Sequence, residues 1–225
     1  MLKLSNLSKS YRNSENEKFS IIDIENFSVE SGKQLIIAGE SGSGKSTLLG
    51  MISGILLPDN GEIIIDGTNI VKLSEGNRDQ FRAKNIGYIF QTFNLLQSFT
   101  VLENVMLGMM FAGKVDKAKA VSTLEKVGLS HRINNKPSEL SVGEQQRTAI
   151  ARAIVNSPKL LLADEPTANL DNKNSFAAID LIKDLCIENK ITLVLVTHQK
   201  EIMDRFENVV ELESINKVGT VDISL

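Results

Sequence analysis

Gly39-Glu40-Ser41-Gly42-Ser43-Gly44-Lys45-Ser46-Thr47 decides how this chain is read. It spells G-x-x-x-x-G-K-S, the phosphate-binding P-loop pattern, which carries meaning only between a strand and a helix. Leu35-Ile36-Ile37-Ala38 ahead of it suits a buried strand, and Thr47-Leu48-Leu49-Gly50-Met51-Ile52 suits the first turns of a helix. Glycines let the backbone approach phosphate, so successive N–H groups form an anion-binding nest at a helix N-terminus. Gly39, Ser41, Gly42, Ser43, Gly44 and Thr47 therefore line the expected nucleotide site. Lys45 supplies a point charge to the terminal phosphates, and the Ser46 hydroxyl is a ligand for Mg2+.

Outward from the loop, short elements alternate. Residues 2 to 30 step between apolar and polar (Leu2, Leu4, Leu7, then Ile21, Ile22, Ile24, Phe27, Val29), which predicts antiparallel strands joined through Arg12 to Lys18. Tyr11 closes the first of them, either packing within the strand or offering its ring to a nucleotide base. Past the P-loop helix, Leu57-Pro58-Asp59-Asn60-Gly61 is a turn and Glu62 to Gly67 a strand and second turn. Ser74 opens a polar helix through Arg82, and Asn85 to Phe90 is the next strand, with Gln91 at its end.

Residues 92–157 switch to helical spacing, with Val101, Val105, Leu107 and Met110, then Val115, Ala118, Val121, Leu124 and Val127. Ser157-Pro158 ends this insert. Leu160-Leu161-Leu162-Ala163-Asp164-Glu165 is a continuous apolar run closed by two carboxylates, which suits a buried central strand. A helix over Lys173 to Ile187, a buried strand Ile191 to His198, a short helix and strands at Val209 to Leu212 and Val218 to Ile223 follow. Strands alternating with helices imply a mainly parallel sheet covered on both faces.

The 225 residues suffice for one large domain or a domain with a subdomain. They are 42% hydrophobic, enough to bury a core. A net charge of -3 argues against a nucleic-acid surface, which is normally basic, so no nucleic-acid partner is expected. The one cysteine, Cys186, cannot form an internal disulfide and suits a reducing compartment as a small buried residue. Met1-Leu2-Lys3-Leu4-Ser5-Asn6 has no basic region followed by an apolar run. The apolar run Val105 to Ala112 is far short of the roughly 20 residues a membrane span needs. The expectation is a cytoplasmic chain, with any membrane part supplied by a partner.

Strand C-terminal ends converge on the ligand crevice of such a sheet. Asp164 is then suited to hold Mg2+, and Glu165 to orient and deprotonate an attacking water. His198 ends the following strand, where it either contacts a terminal phosphate or plays a structural part. Gln91 stands where it can reach Mg2+ or the water. Leu140-Ser141-Val142-Gly143-Glu144-Gln145-Gln146-Arg147 reads locally as a capping box, Ser141 with Glu144, ahead of a helix Thr148 to Val155. A helix N-terminus bearing Ser and Gly is also an anion site. Nearly a hundred residues separate it from the P-loop, which suggests a phosphate held by a second copy of the chain.

Together these stretches resemble the ATP-binding-cassette (ABC) ATPase family along essentially the whole chain. Gly39 to Thr47 matches Walker A, and Leu160 to Glu165 matches Walker B with its catalytic glutamate. Leu140 to Gln145 resembles the LSGGQ signature. Gln91 matches the Q-loop, Ala168-Asn169-Leu170-Asp171 the D-loop, His198 the switch histidine and Tyr11 the aromatic A-loop. The resemblance implies an α/β fold: a P-loop NTPase core with a mainly parallel sheet, an N-terminal antiparallel β subdomain and a helical insert. It divides a single domain, 1–225, into a core with its β subdomain (1–91 and 158–225) and a helical signature subdomain (92–157).

The family's mechanism implies ATP and Mg2+ as cofactors and a head-to-tail, ATP-dependent homodimer. In it Ser141, Gly143 and Glu144 serve the partner's ATP, and Asp171 links the two sites. Three positions depart from the usual pattern. Val142 replaces the first signature glycine, Glu144 stands where Gln is common, and Glu40 occupies a position that is often Pro.

Soluble repair members of the family carry long coiled-coil inserts, and translation members carry two cassettes; this chain has neither. A GTPase would want N-K-x-D, which Asn189-Lys190-Ile191-Thr192 fails at its last position. Glu165-Pro166-Thr167-Ala168-Asn169-Leu170-Asp171 and Val101-Leu102-Glu103-Asn104-Val105 are similar to the lipoprotein-releasing and macrolide-export (LolD/MacB) group. That group powers export, lipoprotein release or mechanical transmission through a membrane subunit. A cell-division ATPase of the FtsE kind shares the first run and stands as the alternative, ahead of a soluble non-transport ATPase. The implied partner is a separate integral membrane permease docking near Gln91 to Met110 on Phe93, Leu95 and Leu96. The implied location is cytoplasmic, peripheral on the inner face of the cell membrane.

Overall fold

The computed structural model describes residues 1–218. β1 (Leu2–Arg12) and β2 (Lys18–Val29) form an antiparallel hairpin with Leu4 opposite Phe27, Leu7 opposite Ile24 and Tyr11 opposite Phe19. β3 (Gln34–Ala38) runs into the P-loop and α1 (Lys45–Ile52). β4 (Asn60–Ile65) and the two-residue β5 (Thr68–Asn69) extend the hairpin into a four-stranded sheet ordered β2-β1-β4-β5. α2 (Glu75–Asn85), β6 (Ile86–Ile89), α3 (Val101–Met110), α4 (Lys117–Lys126) and α5 (Val142–Ile154) follow. β7 (Leu160–Asp164), α6 (Asn172–Glu188), β8 (Thr192–Thr197), α7 (Lys200–Met203), β9 (Val209–Glu211) and α8 (Leu212–Ile215) complete the described chain.

The second sheet is parallel, ordered β6-β7-β8-β3-β9. Its central strands are the continuous apolar runs of the sequence, and the two-residue period sorts them between two cores. Ile36, Leu161, Ala163, Leu193 and Leu195 face the core shared with α3 to α6. Leu35, Ile37, Leu160, Leu162, Val194 and Val196 face the core shared with α1 and the antiparallel sheet. Register then aligns the strand ends. Ala38 lies opposite Thr197, and Asp164 opposite Val196. The residues that follow β3, β7 and β8 therefore emerge along one edge. This is the α/β fold expected, with its mainly parallel sheet, N-terminal antiparallel sheet and intervening helices.

Close packing demands glycine at Gly44 and Gly87, as it does at Gly61 and Gly108. Gly44, the N-cap of α1, sits at φ 102°, and a Cβ there would lie 2.8 Å from Ile21 Cγ2. At Gly87 on β6 a Cβ would run into the carbonyl oxygen of Ala153, so α5 lies directly against that strand.

Two expectations change. The helix foreseen over Thr148 to Val155 begins at Val142, because the Ser141–Glu144 capping box closes on its first turn. The segment Val209 to Leu212 is a strand only to Glu211, and Leu212 starts a helical turn. The strand foreseen over Val218 to Ile223 lies outside the described residues beyond Val218.

Candidate active site

A cleft of about 240 Å3 opens at the shared strand edge, lined by the P-loop residues Ser41, Gly42 and Gly44 to Thr47 together with Ile21, Gln91, Glu165 and His198. Lys45 is only 6% exposed, and its ammonium donates to the carbonyl oxygens of Gly39 (2.7 Å) and Glu40 (2.6 Å). It also lies 3.7 Å from Glu165 Oε1. The loop thus folds around a buried cation, and phosphate oxygens would be its natural acceptors once they replace those carbonyls. Glu40 is exposed, so its charge faces solvent rather than the cleft.

Glu165 directly follows β7 at φ 43°, a left-handed conformation that costs a non-glycine residue about 1–3 kcal/mol. Its N–H donates to Val196 O at 3.0 Å, which ties this turn to β8. Its Oε1 lies 2.7 Å from His198 Nδ1, while Oε2 is buried with no partner among the described residues. A buried oxygen without a donor costs about 1–3 kcal/mol, so Oε2 is placed for a molecule that brings an O–H. Ser43 Oγ is likewise buried and unpartnered, within the P-loop itself.

Ser46 Oγ donates to Asp164 Oδ1 at 3.0 Å, and the Tyr88 hydroxyl lies 3.5 Å from Asp164 Oδ2. Burial pushes the Asp164 carboxyl above its ordinary range, against the lowering effect of the Ser46 hydrogen bond. Two hard oxygens side by side, one on a carboxylate strained by burial, fit a small oxygen-seeking cation such as Mg2+.

The other expected residues lie elsewhere. Tyr11, 39% exposed, stands in a separate recess with Ser10, Arg12, Lys18 and Asp59. Its ring is 6.4 Å from Phe19, and Lys9 Nζ is 5.8 Å from its centroid. Ser141, Gly143, Glu144 and Asp171 do not line the P-loop cleft. Glu144 is buried and accepts from Ser141 N (2.9 Å), Ser141 Oγ (2.8 Å) and Arg132 Nε (2.9 Å). Those donors, the Ser141 N–H foremost, hold its carboxyl down at about 2. Val142 is 47% exposed. A Cβ on Gly143 would come 3.1 Å from Asn174 Oδ1. Asp171 caps α6, accepting from Asn174 N at 2.9 Å.

A second cavity, about 490 Å3, lies between α2, β6, α3 and α5, walled by Phe90, Leu96, Leu107, Phe111, Arg152 and Asn156. Phe111 is 76% exposed and Leu96 49%, an apolar pair at the mouth of this groove. The expected floor needs correcting. Leu95 turns into the protein at 7% exposure and Phe93 does not line the groove, so Leu96 alone of the three serves there. The reason is Asn104, wholly buried on α3, which grips Leu96 through both main-chain groups and turns its neighbour inward.

Contacts that the sequence did not foretell cluster on the turn after β7. Gln146 Nε2 donates to Pro166 O (2.8 Å), Thr167 Oγ1 to Gln199 Oε1 (3.0 Å) and Asn169 Nδ2 to Gln91 O (2.8 Å). No local pattern announces such amide bonds, since each joins segments distant in sequence.

Residues 22–168 match the ABC transporter family. The chain is 47% identical over 202 residues to the lipoprotein-releasing system ATP-binding protein LolD of Treponema denticola, covering 88% of this chain and 89% of that one. It is 42% identical over 217 residues to LolD of Wigglesworthia glossinidia brevipalpis, covering 95% and 94%. It also matches the solved dimeric structure of an ATP-binding cassette in a post-hydrolysis state bound to ADP and Pi, with a TM-score of 0.85, 37% identity and 94% coverage of each chain. A buried lysine inside a glycine loop, faced by two carboxylates at a parallel sheet edge, is what that kinship leads one to expect, and the chain belongs to the ABC transporter family as an ATP-binding, ATP-hydrolysing cassette.

Proposed function

We propose that the cassette holds Mg2+-ATP in the P-loop cleft, closes head to tail on a second copy, and drives lipoprotein release through a separate membrane subunit. The observation that carries this reading is the divided site. Lys45, Asp164, Glu165 and His198 meet at one sheet edge, whereas Ser141 and Gly143 stand on a helix end that does not reach that cleft. A second copy, turned to face the first, supplies what each lacks. The relatives named LolD favour lipoprotein release over the cell-division and soluble alternatives.

In this reading Gly39 to Thr47 wrap the phosphates and Tyr11 stacks on the adenine. Ser46 and Asp164, with Gln91, hold Mg2+, which when bound neutralises charge on the phosphate oxygens. Glu165 takes the proton of the attacking water, and its free Oε2 is the atom for it. His198 orients Glu165 and senses the terminal phosphate. Ser141, Gly143 and Glu144 form the surface offered to the partner's nucleotide, with Asp171 between the two sites. Residues 92–157 act as a helical signature subdomain beside a core of 1–91 and 158–225.

The groove beneath Phe111 and Leu96 receives the membrane subunit. No helix among the described residues is long and apolar enough to cross a membrane. In this reading the cassette sits peripherally on the inner face through that subunit.

The test is size-exclusion chromatography of Glu165→Gln with Mg2+-ATP, which should convert monomer to dimer, while adding Ser141→Arg should keep it monomeric. A double variant that still dimerises would sink the head-to-tail arrangement. Phe111→Asp should abolish co-purification of the integral membrane subunit that the wild-type chain brings down, while leaving ATP binding intact; retained co-purification would remove the groove from its role.

A further inference from the structure

Among the described residues, the segment 91–100 borders both cavities. Gln91 lines the P-loop cleft, and Asn94 and Leu96 line the apolar groove. Its far end is fastened to the helical insert. Arg152 on α5 donates to Phe93 O (2.7 Å) and Asn94 O (2.6 Å). Asn104 on α3 donates to Leu96 O (3.1 Å), Phe99 O (3.1 Å) and Thr100 O (3.0 Å), and accepts from Leu96 N (2.8 Å). Thr92 and Gln97 bond only within the segment. Toward the sheet edge, the one side-chain hydrogen bond to the segment among the described residues is Asn169 Nδ2 to Gln91 O, at 2.8 Å.

Asn169 itself sits on a turn held from both sides of the site. Gln146 on α5 fixes Pro166, and Gln199, next to His198, fixes Thr167. The backbone of the same turn begins at Glu165, whose carboxylate meets Lys45 and His198. A shift of Glu165 or His198 therefore reaches Asn169 through the three residues Pro166 to Ala168, whose backbone is constrained. From there it reaches the groove-lining segment through a single amide.

We infer that Asn169 is a positioning residue, the tie by which occupancy of the ATP cleft sets the conformation of the groove-lining segment. It rests on the nucleotide reading of the P-loop cleft and needs no identified membrane partner. Asn169 does not line the ATP cleft and meets Gln91 only at its main-chain carbonyl, so its removal leaves every side chain of the phosphate site in place. One net hydrogen bond changes a two-state balance by roughly 3- to 10-fold.

Hydrogen–deuterium exchange of the full chain, with and without a non-hydrolysable ATP analogue plus Mg2+, tests this. In the wild type, the analogue should slow exchange over residues 92–99. In Asn169→Ala and the isosteric Asn169→Asp, which lacks the donor, that nucleotide-dependent slowing should fall by about 3- to 10-fold. Analogue affinity should stay within about twofold, because the P-loop is untouched. Asn169→Gln, which keeps an N–H donor, should recover part of the effect. Equal slowing in Asn169→Ala, or no slowing over 92–99 in a nucleotide-bound wild type, overturns the inference. Failure of the wild type to bind the analogue at all would instead overturn the nucleotide reading beneath it. A merely structural role would lower the thermal midpoint while leaving the nucleotide-dependent difference intact, and that result also overturns it.

Discussion

α1 and α5 both begin at glycine- and serine-bearing turns, and their N-termini are finished in opposite ways. α1 starts after Gly44, with no side-chain cap and no acid in its first turn, above a buried Lys45. Its uncapped N–H groups and the ammonium aim donors and positive charge at the cleft, with room for an anion. α5 starts after Ser141, and Glu144 closes its own capping box there, with Arg132 as the carboxylate's other partner. That end already carries a negative charge, held by 2.8–2.9 Å bonds. One helix end can take phosphate by itself. The other is satisfied in the single chain and contributes only when a second protomer brings the phosphate to it.

The largest test of this contrast acts at the first end. Glu165→Gln should lower phosphate release by about 10^2- to 10^4-fold, the typical contribution of a general base, with nucleotide affinity retained. Hydrolysis within about tenfold of wild type would take the base role from Glu165. Next, Ser141→Ala should cost about 1 kcal/mol of stability through the lost cap. Nucleotide binding to the isolated chain should not change. A fall in monomer affinity would erase the distinction between the two ends.

A smaller effect follows from Glu144. The Ser141 N–H first, then its hydroxyl and Arg132, lower the carboxyl from 4.5 to about 2 in the folded chain. A depressed carboxyl stabilises the fold fully above its unfolded value and loses that contribution as pH falls toward the folded one. Unfolding curves of wild type and Glu144→Gln should therefore keep a constant separation above pH 4.5 and converge on acidification toward 2. A separation independent of pH would show that the carboxylate's charge is idle. The smallest change is Val142→Gly. Val142 is exposed on the first turn, so turnover should be equal or higher, with stability lower by about 0.5–1 kcal/mol from the added backbone freedom. A sharp loss of turnover would instead assign Val142 to a specialised contact.

Much of the site is legible in the sequence alone. Apolar runs ending in polar residues marked β3, β7 and β8 as buried parallel strands, and parallel strands end on one side. That placed Lys45, Asp164, Glu165 and His198 together without knowledge of any contact. The capping box at Ser141 was equally plain, since its partners are three residues apart. The start of α5 was misjudged because Val142 and Gly143 are poor helix formers, and the cap outweighed their propensity. Leu95 and Phe93 were misassigned to the groove because hydrophobicity says that a side chain is buried or bound, not on which side.

Periodicity, turn chemistry and motif spacing are local, and they determined the α/β class, the strand ends and the residue types gathered at the ATP cleft. Tertiary structure alone decided that Tyr88 reaches Asp164, that Arg132 shares Glu144, and that Asn169 holds Gln91 from 78 residues away. Each is a hydrogen bond across elements, whose 2.8–3.5 Å length depends on how whole layers pack. No residue's own propensity encodes such a distance.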